Sequence, residues 1–166
     1  KLNSRKSKGY VRDVFQQNHM NNLQGNLGIG HVRYPTAGGI GKEFAQPMYV
    51  NTPYGISLAH NGNLTNSKKL AAELFHAERR HINTDSDSEV LLNIFALELS
   101  KQEAVFPKPK DFFTAVEKTH LRINGAYAVV ALITGYGILA FRDPLGIRPL
   151  SIGCLLYTSP SPRDVV

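Results

Sequence analysis

The chain has 166 residues, of which 42% are hydrophobic, so we expect one domain with one sizeable core. No apolar run approaches membrane-spanning length, which argues against an integral membrane protein. The formal charge of +6 arises largely at the ends, because residues 9–153 hold 14 basic and 12 acidic residues. This nearly balanced body argues against a nucleic-acid-binding protein.

The first part of the chain predicts a helix, a strand and a loop. Residues 11–23 place Val11, Val14 and Phe15 on one helical face, and "NLGIGHVRY" (26–34) has the composition of a glycine-rich strand. Residues 35–47 contain too much glycine and proline for either element. We expect a long loop there, and such loops often carry function.

The remaining elements alternate between strand pairs and helices. "MYVNTPYGISLAHNG" (48–62) predicts two short strands around a tight turn, and "GAYAVVALITGYGILAFRD" (125–143) predicts a second hairpin. Helices are predicted over 66–80, from the capping-box pair Ser86 and Glu89 onward, and over 110–122. Tight strand pairs with consecutive helices predict an α+β domain with an antiparallel sheet.

Three polar clusters lie at the ends of these elements. Arg33 offers the planar fork of donors that suits a carboxylate, although a surface ion pair is the commoner explanation of an arginine considered alone. Asn61 and Gly62 offer a side-chain amide and an unobstructed backbone N–H, which is the composition of an oxyanion hole and also of an ordinary turn. Asp85 or Asp87 can receive an ammonium group, although acidic residues in the first turn of a helix are more commonly explained by the helix start itself.

The histidines and the cysteine carry no recognisable site. The six histidines lack the paired spacing of metal ligands, so no metal site is predicted, and His60 is interpreted as a packed residue near a strand end. The single cysteine, Cys154, cannot form an internal disulfide, which fits a reducing compartment.

Taken together, five segments resemble the glutamine amidotransferase domain of the amidophosphoribosyltransferase family, whose members open de novo purine synthesis. The segments are "GIGHVRYPTAG", "AQPMYVNTPYGISLAHNGNLTN", "RRHINTDSDSEVLLNIFALEL", "GAYAVV" and "FRDPLGIRPL". Related class II amidotransferases are less similar, since glucosamine-6-phosphate synthase has Trp where this chain has Tyr34. That enzyme class and a non-catalytic glutamine-binding module are the alternatives.

The resemblance implies an N-terminal nucleophile hydrolase fold, a four-layer αββα sandwich that we expect to be incomplete at the N-terminus here. It also implies that Arg33 binds the α-carboxylate of L-glutamine, that Asp87 binds its α-ammonium, and that Asn61 and Gly62 stabilise the oxyanion. The same resemblance gives further positions: Tyr34, Thr36 and Gly38 shape the loop around the substrate, and Asp143, Gly146 and Arg148 form a structural turn.

The implied reaction needs a cysteine as the first residue of the chain, and none stands there. We therefore expect residues 1–153 to be a partial glutamine amidotransferase domain without glutaminase activity of its own. Cys154 cannot replace the nucleophile because its nitrogen lies in a peptide bond. Its segment, "CLLYTSPSPRD", resembles a translated sequencing-library adapter, so residues 154–166 are interpreted as an artefact.

The same resemblance implies the partners. Ammonia would be transferred to phosphoribosyl pyrophosphate by a phosphoribosyltransferase domain outside this sequence, giving 5-phosphoribosylamine. Mg²⁺ is expected in that domain and no cofactor in this one. We expect a cytoplasmic protein that forms a homo-oligomer at full length, with no nucleic-acid or membrane partner.

Overall fold

The computed structural model describes residues 2–33, 42–102 and 106–153. Its elements, in chain order, are α1 (Val11–Val14), α2 (Gln17–Asn22), a 3₁₀ turn (Lys42–Phe44), β1 (Met48–Val50), β2 (Ile56–Leu64), α3 (Ser67–His76), α4 (Asp87–Ser100), α5 (Pro109–Arg122), β3 (Gly125–Ile133) and β4 (Gly137–Arg142). Tyr34, Thr36, Gly38 and the whole segment from Cys154 onward lie outside the described residues.

The strands form one antiparallel sheet in the order β1-β2-β3-β4. The longest ladder joins β2 to β3, from the pair Ile56 and Ile133 to the pair Leu64 and Gly125. Both predicted hairpins are confirmed, because each strand pairs with its neighbour in sequence. The second strand continues beyond its predicted end at Gly62, since β3 offers it backbone partners as far as Leu64.

Helix α4 lies at the centre of the domain. It contacts β1 and β2 of the sheet and both neighbouring helices, α3 and α5. Every residue from Ser88 to Leu99 is buried, which agrees with a helix that is apolar on nearly all sides. This burial fixes the start of α4, where Asp87 lies, relative to strand β2.

An ion-pair network joins the three helices on their polar sides. Arg122 of α5 donates to the carboxylate of Glu98 at 2.6 Å and to that of Glu73 in α3, and Lys101 contacts Glu98 at 3.1 Å. Glu98 is only 6% exposed, so these cations compensate a carboxylate that would otherwise be buried without a partner.

Two predictions near the start of the chain are wrong. The helix predicted over 11–23 is two short helices, because the backbone of Phe15 leaves the helical region and Gln16 is extended. Residues 26–33 form neither helix nor strand, although "NLGIGHVRY" predicts a strand. Its glycines weaken an extended segment, and the sheet of the described residues ends at β1 and β4 without pairing to it.

The predicted fold class is confirmed as α+β with an antiparallel sheet. The described residues provide one sheet and a helical layer on one of its faces, which are two of the four layers of an αββα sandwich. Within these residues, no helix combines the length and the apolar composition that a membrane crossing requires.

Candidate active site

The edge of strand β2 is completed by side chains where its neighbouring strand ends. Strand β1 pairs with β2 only through the partners of Ile56, Ser57 and Leu58. Further along, the N–H of Leu64 donates to Asp87 Oδ2 at 3.0 Å. The carboxylate of Asp87 therefore lies against the outer edge of β2, where a strand would otherwise lie.

The N–H of Gly62 points to this same edge. Thr65 bonds to the residue before β3, so the odd-numbered residues of β2 direct their backbone groups toward β3. The even-numbered residues direct theirs outward, as the bond from Leu64 to Asp87 shows. Gly62 lies between Leu64 and His60, and His60 Nδ1 is 3.9 Å from Asp87 Oδ1. The predicted oxyanion donor and the predicted ammonium acceptor therefore share one strand edge.

Asn61 lines an open cleft of about 380 Å³ on the sheet face opposite α4. The sheet contributes small and apolar side chains to this cleft, namely Ala59, Ala128, Val130 and Ile138. Residues 28–31 and 149–150 form its other walls. Asn61 is exposed there, so its amide is accessible to a ligand.

Arg33 lies beside this cleft. His31, two residues earlier, lines the cleft, and its pKa is lowered first by burial and then by the positive charge of Arg33. A hydrogen bond to the backbone of His60 opposes this shift in the pKa of His31. Arg33 itself is exposed. The guanidinium of Arg33 is thus within electrostatic range of His31, which contacts His60 in the middle of β2.

The chain is similar to a known protein family. A family model described as "Glutamine amidotransferase domain" matches residues 40–156, which is more than half of the chain. The chain belongs to the glutamine amidotransferase domain family. The glutamine amidotransferase domain predicted from the sequence is confirmed.

Individual relatives of the chain share one name, amidophosphoribosyltransferase. Amidophosphoribosyltransferase of Pseudomonas aeruginosa is 60% identical over 153 residues, covering 92% of this chain and 30% of the relative. The Escherichia coli protein of the same name is 59% identical over 149 residues, covering 90% of this chain and 30% of its own length. These names favour the amidophosphoribosyltransferase family over the alternative of a glucosamine-6-phosphate synthase. The chain spans about 30% of the length of these relatives.

A solved structure agrees with the sequence comparison. The glutamine phosphoribosylpyrophosphate amidotransferase from B. subtilis, in a complex with ADP and GMP, superposes with a TM-score of 0.70 at 31% identity. The match covers 89% of this chain and 30% of the B. subtilis chain. The amidotransferase domain therefore has the fold of that enzyme's corresponding part.

The amidotransferase domain buries His60 beneath the cleft. Burial lowers the pKa of His60, the nearby carboxylate of Asp87 opposes this, and the charges of His31 and Arg148 lower it further. Its Nδ1 lies 3.0 Å from Ser88 Oγ, and the residue is 3% exposed. The interpretation of His60 as a packed residue is confirmed, but its predicted position at a strand end is wrong, because β2 continues from His60 to Leu64.

The capping box predicted from Ser86 and Glu89 at the start of α4 is confirmed for Ser86 and wrong for Glu89. Ser86 is the N-cap, and its hydroxyl accepts a hydrogen bond from the N–H of Ser88. Glu89 instead accepts from the N–H groups of Asn83 and Thr84, at 2.9 and 2.8 Å. Glu89 thus orders the loop before the helix, which sets the approach to Asp87.

The turn predicted from Asp143, Gly146 and Arg148 is organised by one buried carboxylate. Asp143 accepts hydrogen bonds from the N–H groups of Ile147, Arg148 and Tyr127, at 2.9, 3.0 and 3.3 Å. Gly146 adopts φ +67°, a conformation in which glycine is favoured. The turn leads into residues 149–150, so Asp143 fixes one wall of the cleft.

We expect Asp143 to make stability depend on acid pH. Burial alone would raise the pKa of Asp143, but four backbone N–H groups, those of Arg148, Ile147, Tyr127 and Asp143 itself, lower it below its usual value. A lowered folded-state pKa contributes stability that is complete above the unfolded pKa and is lost as pH falls through the folded one. Urea titrations of the original chain and Asp143→Asn should show a stability difference at pH 6 that shrinks below about pH 4. A difference that is constant with pH would contradict this role.

Metal ligation finds no support in the described ranges. Across residues 2–33, 42–102 and 106–153, no three histidine, cysteine, aspartate or glutamate side chains are grouped closely enough to hold an ion.

Two residues that the sequence analysis did not single out, Gln46 and Ser88, hold His60 in place. No local pattern in the sequence indicates this contact, because Gln46 and His60 are 14 residues apart.

Proposed function

We propose that this chain is the glutamine-binding part of an amidophosphoribosyltransferase. In the whole protein, L-glutamine would be hydrolysed to glutamate and ammonia, and the ammonia would displace pyrophosphate from phosphoribosyl pyrophosphate to give 5-phosphoribosylamine. Identity of 60% to a protein of that name supports the proposal. The observation that carries it is the edge of β2, where Asp87 and the N–H of Gly62 lie side by side.

The proposed site has a group for each charge of free glutamine and a pair of donors for its carboxamide. The carboxylate of Asp87 would receive the α-ammonium, and the guanidinium of Arg33 would receive the α-carboxylate through charge-assisted hydrogen bonds. The carboxamide oxygen would then lie near Asn61 and Gly62. A ligand with both charges at one end requires such a pair, and a neutral amide would gain nothing from it.

Asn61 and Gly62 would act at the reacting carbon. A thiolate attacks the carboxamide carbon, the C–O π electrons move to oxygen, and the two donors stabilise the resulting oxyanion. The oxyanion then collapses to the thioester as the C–N bond breaks, and the nitrogen leaves as ammonia after taking up the proton that the thiol gave up. Water hydrolyses the thioester to glutamate and the free thiol. Cys154 is the only cysteine of the sequence and lies outside the described residues, so the thiolate is not among the groups placed here.

The remaining assignments belong to the same proposal. Tyr34 and Thr36 would shape the loop that follows Arg33. Mg²⁺ and phosphoribosyl pyrophosphate would bind in a phosphoribosyltransferase domain outside this chain. A cytoplasmic location and a homo-oligomeric full-length protein complete the proposal.

We expect Arg33→Ala to weaken binding of L-glutamine by about 2 kcal/mol, roughly thirtyfold in dissociation constant, because a charged hydrogen-bonded partner is lost. Isothermal titration calorimetry of this chain with L-glutamine measures the effect. Arg12→Ala is the matched control, since Arg12 is an exposed arginine whose recorded partners are Asp13 and the ring of Tyr10. Equal effects of the two substitutions would contradict the assignment, and so would a chain that does not bind L-glutamine.

A further inference from the structure

The side chain of Gln46 takes the place of a backbone peptide at the edge of β2. The β1–β2 register, with Met48 opposite Leu58, places Gln46 opposite His60. The N–H of His60 donates to Gln46 Oε1 at 2.6 Å, and Gln46 Nε2 donates to the carbonyl oxygen of His60 at 3.1 Å. A carboxamide carries the same donor and acceptor as a peptide group, so both outward groups of His60 are satisfied.

A second set of contacts locks this carboxamide. Gln46 Nε2 also donates to Ser88 Oγ at 3.1 Å, and Ser88 Oγ lies 3.0 Å from His60 Nδ1. Ser88 belongs to the buried helix α4 and is 2% exposed, so the anchor is rigid. Gln46 is therefore connected to both the backbone and the ring of His60.

Gln46 and Asp87 hold the strand on either side of Gly62. Gln46 fixes the backbone at His60, and Asp87 fixes it at Leu64. Gly62 lies midway, and its outward N–H is the donor that the proposed reaction needs. Its orientation depends on the backbone of its neighbours, because glycine has no side chain that could anchor it.

We infer that Gln46 is a positioning residue that aims the Gly62 N–H and the Asn61 amide at the carboxamide oxygen of glutamine. This inference rests on the proposed function. Gln46 does not touch the substrate in this account, since it acts through the backbone of His60. Its loss should therefore affect recognition of the carboxamide and leave recognition of the charged end unchanged.

The test compares L-glutamine with L-norleucine, which keeps the α-ammonium and α-carboxylate but lacks the carboxamide. Calorimetry of Gln46→Met should give an affinity for L-glutamine lower by about tenfold, with the affinity for L-norleucine unchanged. Gln102→Met is the matched control, because the Gln102 side chain also donates to a backbone carbonyl, that of Glu98, at the far end of α4. An equal loss of affinity for both ligands in Gln46→Met would overturn the inference.

A measurement without ligand tests the positioning directly. Amide hydrogen exchange of His60, followed by NMR, should be at least roughly tenfold faster in Gln46→Met, because the acceptor of that N–H is gone. Unchanged exchange would overturn the inference. If Gln46→Met does not fold, Gln46→Glu replaces it. That variant keeps an acceptor for His60 N–H, loses the donor to His60 and Ser88, and should also lower the glutamine affinity selectively.

Failure of the proposed function and failure of the role inferred for Gln46 give different results. If the original chain shows no binding of L-glutamine that depends on Arg33, the proposed function is wrong, whatever the exchange rates are. If the original chain binds L-glutamine but Gln46→Met keeps its ratio of glutamine to norleucine affinity, the function stands and the role of Gln46 is wrong.

Discussion

Gly62→Ala is expected to destabilise the domain by at least about 3 kcal/mol and to abolish glutamine binding. Gly62 adopts φ +153°, which residues with a side chain rarely adopt. A Cβ atom here would lie 2.0 Å from the carbonyl oxygen of Ala126 and 2.7 Å from Tyr127 Cα. Both atoms belong to the backbone of β3, so the clash can be relieved only by separating the two central strands.

Chemical denaturation and calorimetry with L-glutamine measure the two effects. Gly25→Ala is the matched control, because a Cβ atom there would be 3.5 Å from the nearest atom outside its neighbours, an ordinary contact. We expect the control to unfold within about 1 kcal/mol of the original chain and to keep its affinity. A Gly62→Ala protein with unchanged stability would show that β2 and β3 do not pair as described.

Asp87→Asn is expected to weaken L-glutamine binding by about 3 kcal/mol, roughly 150-fold. The Asp87 side chain is 23% exposed, so its charge is screened less than that of the exposed Arg33, and the loss should be larger. Asparagine still offers an oxygen to the N–H of Leu64, which keeps the strand edge closed. The fold should therefore survive while the ammonium site is lost.

The control for this substitution lies two residues away. Asp85→Asn removes the same charge two residues before α4 begins, but Asp85 is exposed and has no hydrogen bond to β2. Calorimetry should show an affinity for L-glutamine within about twofold of the original chain for Asp85→Asn. A similar loss in both variants would mean that general electrostatics, rather than a defined ammonium site, determines binding.

The sequence predicts those parts of the fold that depend on neighbouring residues. The hairpins at 48–62 and 125–143 follow from β-forming residues around turn residues, and α4 follows from its apolar run and the N-cap Ser86. Residues 26–33 have strand composition, but strand formation needs a partner at the correct edge. That partner is a property of the tertiary structure and cannot be read from the segment.

In the candidate site too, some residues are predicted from the sequence and others depend on tertiary contacts. Arg33, Asn61, Gly62 and Asp87 were identified from residue type and family resemblance, and three of them lie at the end of β2 or against it. The sequence does not indicate the role of Gln46, because its partner His60 is 14 positions away and the contact forms just before β1 begins. Glu89 was assigned to Ser86 by spacing, whereas the loop at Asn83 folds back and takes both carboxylate oxygens.

The central claim is that Arg33 and Asp87 hold opposite charges of one glutamine molecule. A cycle of two variants and two analogues tests it most directly: glutaramate lacks the α-ammonium, and 4-aminobutanamide lacks the α-carboxylate. Calorimetry should show that Arg33→Ala weakens binding of L-glutamine and glutaramate but not of 4-aminobutanamide, and that Asp87→Asn shows the opposite selectivity between the analogues. If both variants weaken all three ligands equally, or neither variant weakens any, the two residues do not form this site.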